Sequence, residues 1–138
     1  MKKIVIADDD FLVRTYLKQL LPWEEMGFVV AGDAKNGKEA LTLVQQEQPT
    51  LLITDICMPV MNGIDLIKEL KAAGRSVHIL VLSCHDDFAY VKEAMQLGID
   101  DYILKTDLTP EKMEEFLNRC VQAREGEVSE TLGTDDLV

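Results

Sequence analysis

Residues 51–63 read LLITDICMPVMNG, and how this stretch is read decides the fold. Leu51–Thr54 is an apolar, β-branched run too short for a helix, and it has no polar alternation, so it predicts a strand buried on both faces. It stops on a charge, Asp55, followed by the turn formers Met58-Pro59 and Asn62-Gly63. Outward from it the same pattern recurs. Lys3–Ala7, Phe28–Gly32, Val77–Ser83 and Asp101–Leu104 predict four further strands, separated by longer segments of helical period. The first helical segment carries Leu12, Val13, Tyr16, Leu17, Leu20 and Leu21 on one face and stops at Pro22. The last opens with Thr109 as cap and Pro110 in its first turn, and sets Met113, Phe116, Leu117, Cys120 and Val121 on one face. Strands alternating with helices predict an α/β fold: a doubly wound, five-stranded parallel sheet with right-handed crossovers and strand order 2-1-3-4-5.

In such a sheet function collects at the carboxyl ends of the strands, at the switch point between strands one and three. The first strand ends in IADDD, giving Asp8, Asp9 and Asp10, and the third ends in Asp55. Two bare charges about 4 Å apart repel by roughly 4 kcal/mol at an effective dielectric near 20, so the cluster calls for a cation. Oxygen donors that leave room for water and a phosphoryl group suit Mg²⁺ better than Ca²⁺, and the Asp-x-Asp-x-Asp-Gly spacing of a calcium loop is absent. The fourth strand ends at Ser83 and the fifth in YILK, which adds a hydroxyl and the Lys105 ammonium. Each residue also has a plainer reading: Asp10 as a helix cap, Ser83 as a loop starter, Lys105 as a surface lysine. The convergence of all of them on one edge favours a site.

Composition narrows the partners. The 138 residues are 47% hydrophobic, enough for one core, and carry 14 basic against 25 acidic residues, a net charge of −11. That charge repels a phosphate backbone, so nucleic-acid work needs another domain. No apolar run approaches the roughly 20 residues of a bilayer span, and Lys2-Lys3 leads directly into the first strand, so an unexported chain without a membrane segment is expected. Cys57, Cys84 and Cys120 are an odd number at wide spacing, which suggests neither zinc nor a disulfide framework and fits a reducing cytoplasm. After Ala123 acidic residues accumulate without apolar period, so residues 1–123 are read as one domain and 124–138 as an acidic flexible tail or the start of a linker.

These motifs together resemble the receiver domain of two-component response regulators, over about Met1 to Ala123. IADDD matches the family's acidic pair, LLITDICMPVMNG its phosphorylation segment, ILVLS the strand ending in Ser or Thr, and DDYILK the strand with a switch aromatic and a lysine. The resemblance implies a flavodoxin-like receiver fold with Asp55 as phosphoacceptor and Mg²⁺ as cofactor. It implies Asp9, Asp55 and the Cys57 carbonyl as direct metal ligands, Asp8 as a water-mediated one, and Lys105 as partner of the acyl phosphate. The implied donor is a sensor histidine kinase, the chain assisting its own phosphorylation without being a turnover enzyme. Ser83 and Tyr102 are the implied switch, acting on the face of the fourth helix, fifth strand and fifth helix, which would also serve homodimerisation.

Two positions bear on the chemistry without settling it: Cys57 and His85 lie two residues past Asp55 and Ser83, on the path the family uses for the hydrolytic water. One departure stands out. The family usually has proline after the lysine, often with a cis bond, whereas Thr106 follows Lys105 here. A non-proline cis bond costs roughly 2.5–4 kcal/mol, which favours a trans bond and a Lys105 displaced from the family's position.

The stretches LPWEEMGFVVAGDAKNGKEAL and CHDDFAYVKEAMQLGIDDYILK look like receivers that precede AraC-type DNA-binding domains in transcription regulators. No such domain fits in the residues after Ala123, so DNA would be reached only through a domain outside this chain. The alternative is a stand-alone receiver working by phosphotransfer or protein binding. Flavin binding is disfavoured because acids stand where a phosphate loop would follow the first strand. A haloacid-dehalogenase-like phosphatase would need its nucleophile after that strand, where Asp8 and Asp10 offer its Asp-x-Asp pattern only superficially.

Overall fold

The computed structural model describes residues 1–122, so the boundary placed after Ala123 and the acidic stretch beyond it lie outside the described residues. Five strands, β1 (Lys2–Ala7), β2 (Phe28–Ala34), β3 (Leu51–Asp55), β4 (His78–Ser83) and β5 (Asp101–Leu104), alternate with five helices. The helices are α1 (Phe11–Leu20), α2 (Gly37–Glu47), α3 (Gly63–Ala72), α4 (Phe88–Gln96) and α5 (Pro110–Phe116), the last continuing as a π-helical turn over Leu117–Gln122. All pairings are parallel and the order is β2-β1-β3-β4-β5, as the sequence predicts. This is a flavodoxin-like α/β fold.

Period-two alternation along each strand sorts side chains onto the two faces. Ile4, Ile6, Leu51, Ile53, Leu80 and Leu82 pack on one side against Leu17 and Leu20 of α1 and Met113 and Phe116 of α5. On the other side Val5 and Leu52 meet Ala40 and Val44 of α2 and Leu66 and Leu70 of α3. Ile79 and Val81 meet Ile67 of α3 and Val91 and Ala94 of α4. β3, the central strand, is buried throughout, which is why its sequence shows no polar alternation.

Capping follows the sequence closely. Asp10 Oδ1 accepts from Leu12 N at 2.9 Å, Asn36 and Asn62 cap α2 and α3, and Thr109 caps α5 with Pro110 in its first turn. Five element ends differ from expectation: β1 begins at Lys2 rather than Lys3 and β3 runs through Asp55 rather than Thr54, each lengthened by one residue that still pairs in the sheet, and three further ends move as follows. β2 runs on to Ala34 because Val5, Ile6 and Ala7 pair with Gly32, Asp33 and Ala34 past a register shift. α1 ends at Leu20, one residue before Leu21 turns extended into Pro22. β4 starts at His78 rather than Val77, the first residue to pair with β3.

Candidate phosphoacceptor and cation site

β1 and β3 lie side by side, so the residues at their carboxyl ends meet. Oxygens of Asp8, Asp9 and Asp55 lie within 4.8 Å of one another. The turn after β3 is held closely enough to fix Asp55. Ile56 N donates to Asp55 Oδ1 at 2.8 Å, and Gly63 N donates to Ile56 O at 2.7 Å. A Cβ on Gly63 would stand 2.3 Å from the Asp55 carbonyl oxygen, so only glycine allows α3 to start this close to the acidic pocket.

Asp8 is fully buried and every polar atom of it is engaged except one. Its N–H donates to Ala34 O, and its Oδ1 accepts from Asp10 N at 2.8 Å. Oδ2 lies 3.0 Å from Lys105 Nζ in an ion pair, but the alignment is not that of a hydrogen bond. The same ammonium lies 3.4 Å from Asp55 Oδ2. Lys105 is thus in the pocket although Thr106 replaces the usual proline, and no peptide among the described residues is cis. A three-residue 3-10 turn, Lys105–Asp107, makes this bend.

The electrostatics follow from burial. Desolvation pushes the Asp55 carboxyl up to about 6, aided by the Asp8 charge and opposed by Lys105. Asp8 is also raised, by burial first, against the Asp10 N–H and Lys105. Burial alone would lower Lys105, but Asp8 and Asp55 outweigh it and hold the ammonium above its ordinary range. One ammonium against two buried carboxylates, with Asp9 at their rim, leaves the pocket short of positive charge.

That deficit is the test of fit for a divalent cation, and the residues pass it. Three carboxylates supply hard oxygen donors at mutual distances one ion can bridge, and Asp8 Oδ2 keeps unused accepting capacity. Ser83, at the end of β4, is fully buried and its Oγ has no hydrogen-bond partner among the described residues, so it too has unspent capacity at this end of the sheet. Tyr102 on β5 is 39% exposed. His85 is exposed in the loop after β4.

Cys57, also exposed, carries a feature the sequence did not announce. Its Sγ lies 3.6 Å from Oδ1 of the buried Asp87, whose Oδ2 accepts from Cys84 N at 2.8 Å. Asp87 thereby ties the loop after Asp55 to the loop after Ser83. Partial desolvation and then the Asp87 charge push the Cys57 thiol up to about 11. Asp87 sits four residues past Ser83 in CHDDF, where it reads as an ordinary loop acid, and no sequence signal distinguishes it from Asp86.

The family model described as "Response regulator receiver domain" matches residues 4–118. The chain is 43% identical over 122 residues to the transcriptional regulatory protein HptR of Staphylococcus aureus (strain NCTC 8325 / PS 47), covering 88% of this chain and 47% of that protein. It is 44% identical over 123 residues, with the same coverages, to a response regulatory protein of Staphylococcus epidermidis that is described as uncharacterized. The chain therefore spans about half the length of these relatives. Among solved structures, the REC domain of AraT, a response regulator from Geobacillus stearothermophilus, superposes with a TM-score of 0.83 at 31% identity, covering 92% of this chain and 98% of that one. A LuxR-family DNA-binding response regulator from Staphylococcus aureus gives 0.77 at 25% identity, covering 86% and 98%. Fold, motifs and relatives agree, and the chain belongs to the response regulator receiver domain family.

Proposed function

We propose that Asp55 accepts a phosphoryl group from a phosphohistidine of a sensor kinase, and that the modified receiver controls an output, most simply transcription. The observation that carries this reading is the grouping of Asp8, Asp9 and Asp55 with Lys105 set against two of them. Asp8, Asp9, Asp55 and the Cys57 carbonyl would hold Mg²⁺. Such an ion, when bound, offsets the negative charge of a phosphoryl group and of the carboxylate approaching it. Asp55 is the nucleophile: one carboxylate oxygen bonds to phosphorus, the bond from phosphorus to the donor imidazole nitrogen breaks, and the imidazole leaves with that electron pair. Lys105, already placed on Asp55, supplies a charge-assisted contact to the phosphoryl oxygens.

Ser83 reads the product. Its unpartnered hydroxyl gains an acceptor only if the loop after β4 moves inward, and Tyr102 follows into the space behind it. Turning such an equilibrium from 1:99 to 99:1 takes about 5.5 kcal/mol, within reach of a few charge-assisted hydrogen bonds at roughly 1.5–3 kcal/mol each. The face of α4, β5 and α5 is then the surface that changes and that would pair with a second copy.

A DNA-binding output would need a domain beyond these residues. Relatives twice the length that are named as transcriptional regulators support a DNA-binding output. The AraC type rests on the finer resemblance of two sequence stretches, while a LuxR-family regulator is also among the structural neighbours. A stand-alone receiver remains the second reading. No described helix is long and apolar enough to cross a membrane, which fits the cytoplasmic setting that a histidine-kinase partner requires. Incubation with acetyl phosphate tests the core of the reading: labelling should require Mg²⁺, stop with a chelator and be absent in Asp55→Asn. Equal labelling of Asp55→Asn would overturn the assignment.

A further inference from the structure

Arg14, in the first turns of α1, reaches back beneath the acidic loop and touches two elements at once. Its Nη1 donates to the Asp8 main-chain carbonyl at 2.7 Å and its Nε donates to Asp33 Oδ2, on β2, at 2.8 Å. The side chain is only 14% exposed, and the Phe11 ring lies 5.6 Å from its Cζ. Lys18 Nζ holds the other Asp33 oxygen at 3.1 Å. Against the effect of burial, Lys18 and Arg14 hold the Asp33 carboxyl below its usual range, so the anchor stays ionised.

We infer that Arg14 is a positioning residue of the cation site: by bridging the Asp8 carbonyl to Asp33 it fixes the peptide that carries Asp9 into the pocket. The inference rests on the reading of Asp8, Asp9 and Asp55 as metal ligands. Its logic is that the other polar contacts of Asp8 fix only its amide and carboxylate. Asp8 N–H is bound to Ala34 O, and the carboxylate is bound to Asp10 N and set against Lys105. The orientation of the Asp8–Asp9 peptide is left to its carbonyl, which Arg14 holds with a charge-assisted bond. Asp9 is exposed, and among the described residues its side chain has no hydrogen bond or ion pair, so its direction depends on the two peptides that flank it, of which Asp8 Oδ1 holds the Asp9–Asp10 amide and Arg14 the Asp8–Asp9 carbonyl. Outer contacts that orient metal ligands commonly change affinity about 10- to 100-fold when removed.

A competing effect has the opposite sign, and this makes the test decisive. A guanidinium near a divalent ion repels it, so if charge were what mattered, removing Arg14 would tighten binding. Arg14 carries its charge against Asp33, which offsets much of that repulsion. Arg14→Lys keeps a charge but cannot make the forked contact to both partners. Binding of Mn²⁺ alone, followed by loss of the free-ion electron paramagnetic resonance signal, should weaken about tenfold in both Arg14→Ala and Arg14→Lys. Lys18→Ala, which touches Asp33 but not Asp8, should stay near the wild-type affinity. Unchanged or tighter binding in Arg14→Ala, or full retention in Arg14→Lys, overturns the inference while leaving the cation site intact. Should Arg14→Ala fail to fold by circular dichroism, Asp33→Asn removes the ionic anchor instead and must weaken Mn²⁺; wild-type affinity there overturns the inference. Absence of Mn²⁺ binding by the wild-type protein would overturn the reading of the site itself, and the role of Arg14 with it.

Discussion

Lys105 Nζ lies 3.0 Å from Asp8 Oδ2, joining the end of β5 to the end of β1 across β3 and β4. Asp8 is fully buried, and the lysine that faces it is 22% exposed at its side chain. Removing one partner of a fully buried pair costs roughly 3–5 kcal/mol, and partial exposure brings the expectation for Lys105→Ala to about 2–3 kcal/mol. Urea unfolding should show that loss, and added Mg²⁺ should restore more stability to Lys105→Ala than to the wild type, because two carboxylates there lack a counter-charge. An equal Mg²⁺ response in both proteins would count against the shared pocket.

Asp55 predicts a pH dependence with a definite sign. Its carboxyl titrates near 6 in the fold, above the 3.8 of the unfolded chain, so the native state holds the extra proton between those values. Stability from this group is therefore full below about pH 4 and falls as pH rises through 6. The shift corresponds to at most about 3 kcal/mol. Without metal, Asp55→Asn should melt several degrees higher than the wild type at pH 7.5 and nearly equally at pH 4. A variant that melts lower than the wild type at pH 7.5 would contradict the burial of an ionised Asp55 as a destabilising charge.

The turn after β3 stores backbone strain at Val60. This β-branched residue is 78% exposed and held at φ 69°, with Met61 N donating to Pro59 O at 2.7 Å across it. Such a γ-turn is rare, and a side chain branched at Cβ fits it poorly. Val60→Asn should stabilise the protein by about 1 kcal/mol in urea unfolding, since Asn tolerates the left-handed region and the lost side chain buries little. No gain would mean the turn carries no strain.

Gly63 gives the opposite outcome. Its missing Cβ is what lets α3 approach the Asp55 carbonyl, and Gly37 likewise would put a Cβ 2.3 Å from Met61 O. Gly63→Ala should cost about 2 kcal/mol or more and weaken divalent binding together with stability, because the backbone that must shift is that of Asp55. Loss of stability with unchanged Mn²⁺ affinity would separate the two.

Much of this was legible in the chain and some was not, for physical reasons. β3 could be read because a strand buried on both faces has no polar interruption, and Asp10 and Thr109 because caps carry their own side-chain signal. Asp8, Asp9, Asp55 and Lys105 could be placed together because strand order alone sends strand ends to one edge. β2 ran further than read because Asp33, a charge directly after Gly32, looks like the start of a turn, while the pairing of Asp33 and Ala34 is set by a register shift on β1. The π-helical turn at Leu117 was invisible since Met113, Phe116 and Leu117 stay buried whichever hydrogen-bond register the backbone takes. Arg14 and Asp87 escaped because their roles are contacts between segments far apart in the chain, a helix with a strand and two loops with each other, which no local spacing encodes.

Tyr102 provides a test of the switch rather than of the site. Its ring, 39% exposed, should turn inward when a beryllofluoride adduct forms at Asp55, with Ser83 shifted toward the adduct. Crystal structures with and without the adduct check this. A ring in the same place in both would remove Tyr102 from the mechanism.

The central claim is that Asp55, and no other acid of the cluster, receives the phosphoryl group. Intact-mass measurement after acetyl phosphate and Mg²⁺, followed by borohydride reduction and peptide sequencing, tests it most directly. The account predicts one added phosphoryl group, mapped to Asp55 and lost with a chelator. A phosphoryl group mapped to Asp8, Asp9 or Asp10, or none at all on a folded protein, would contradict it.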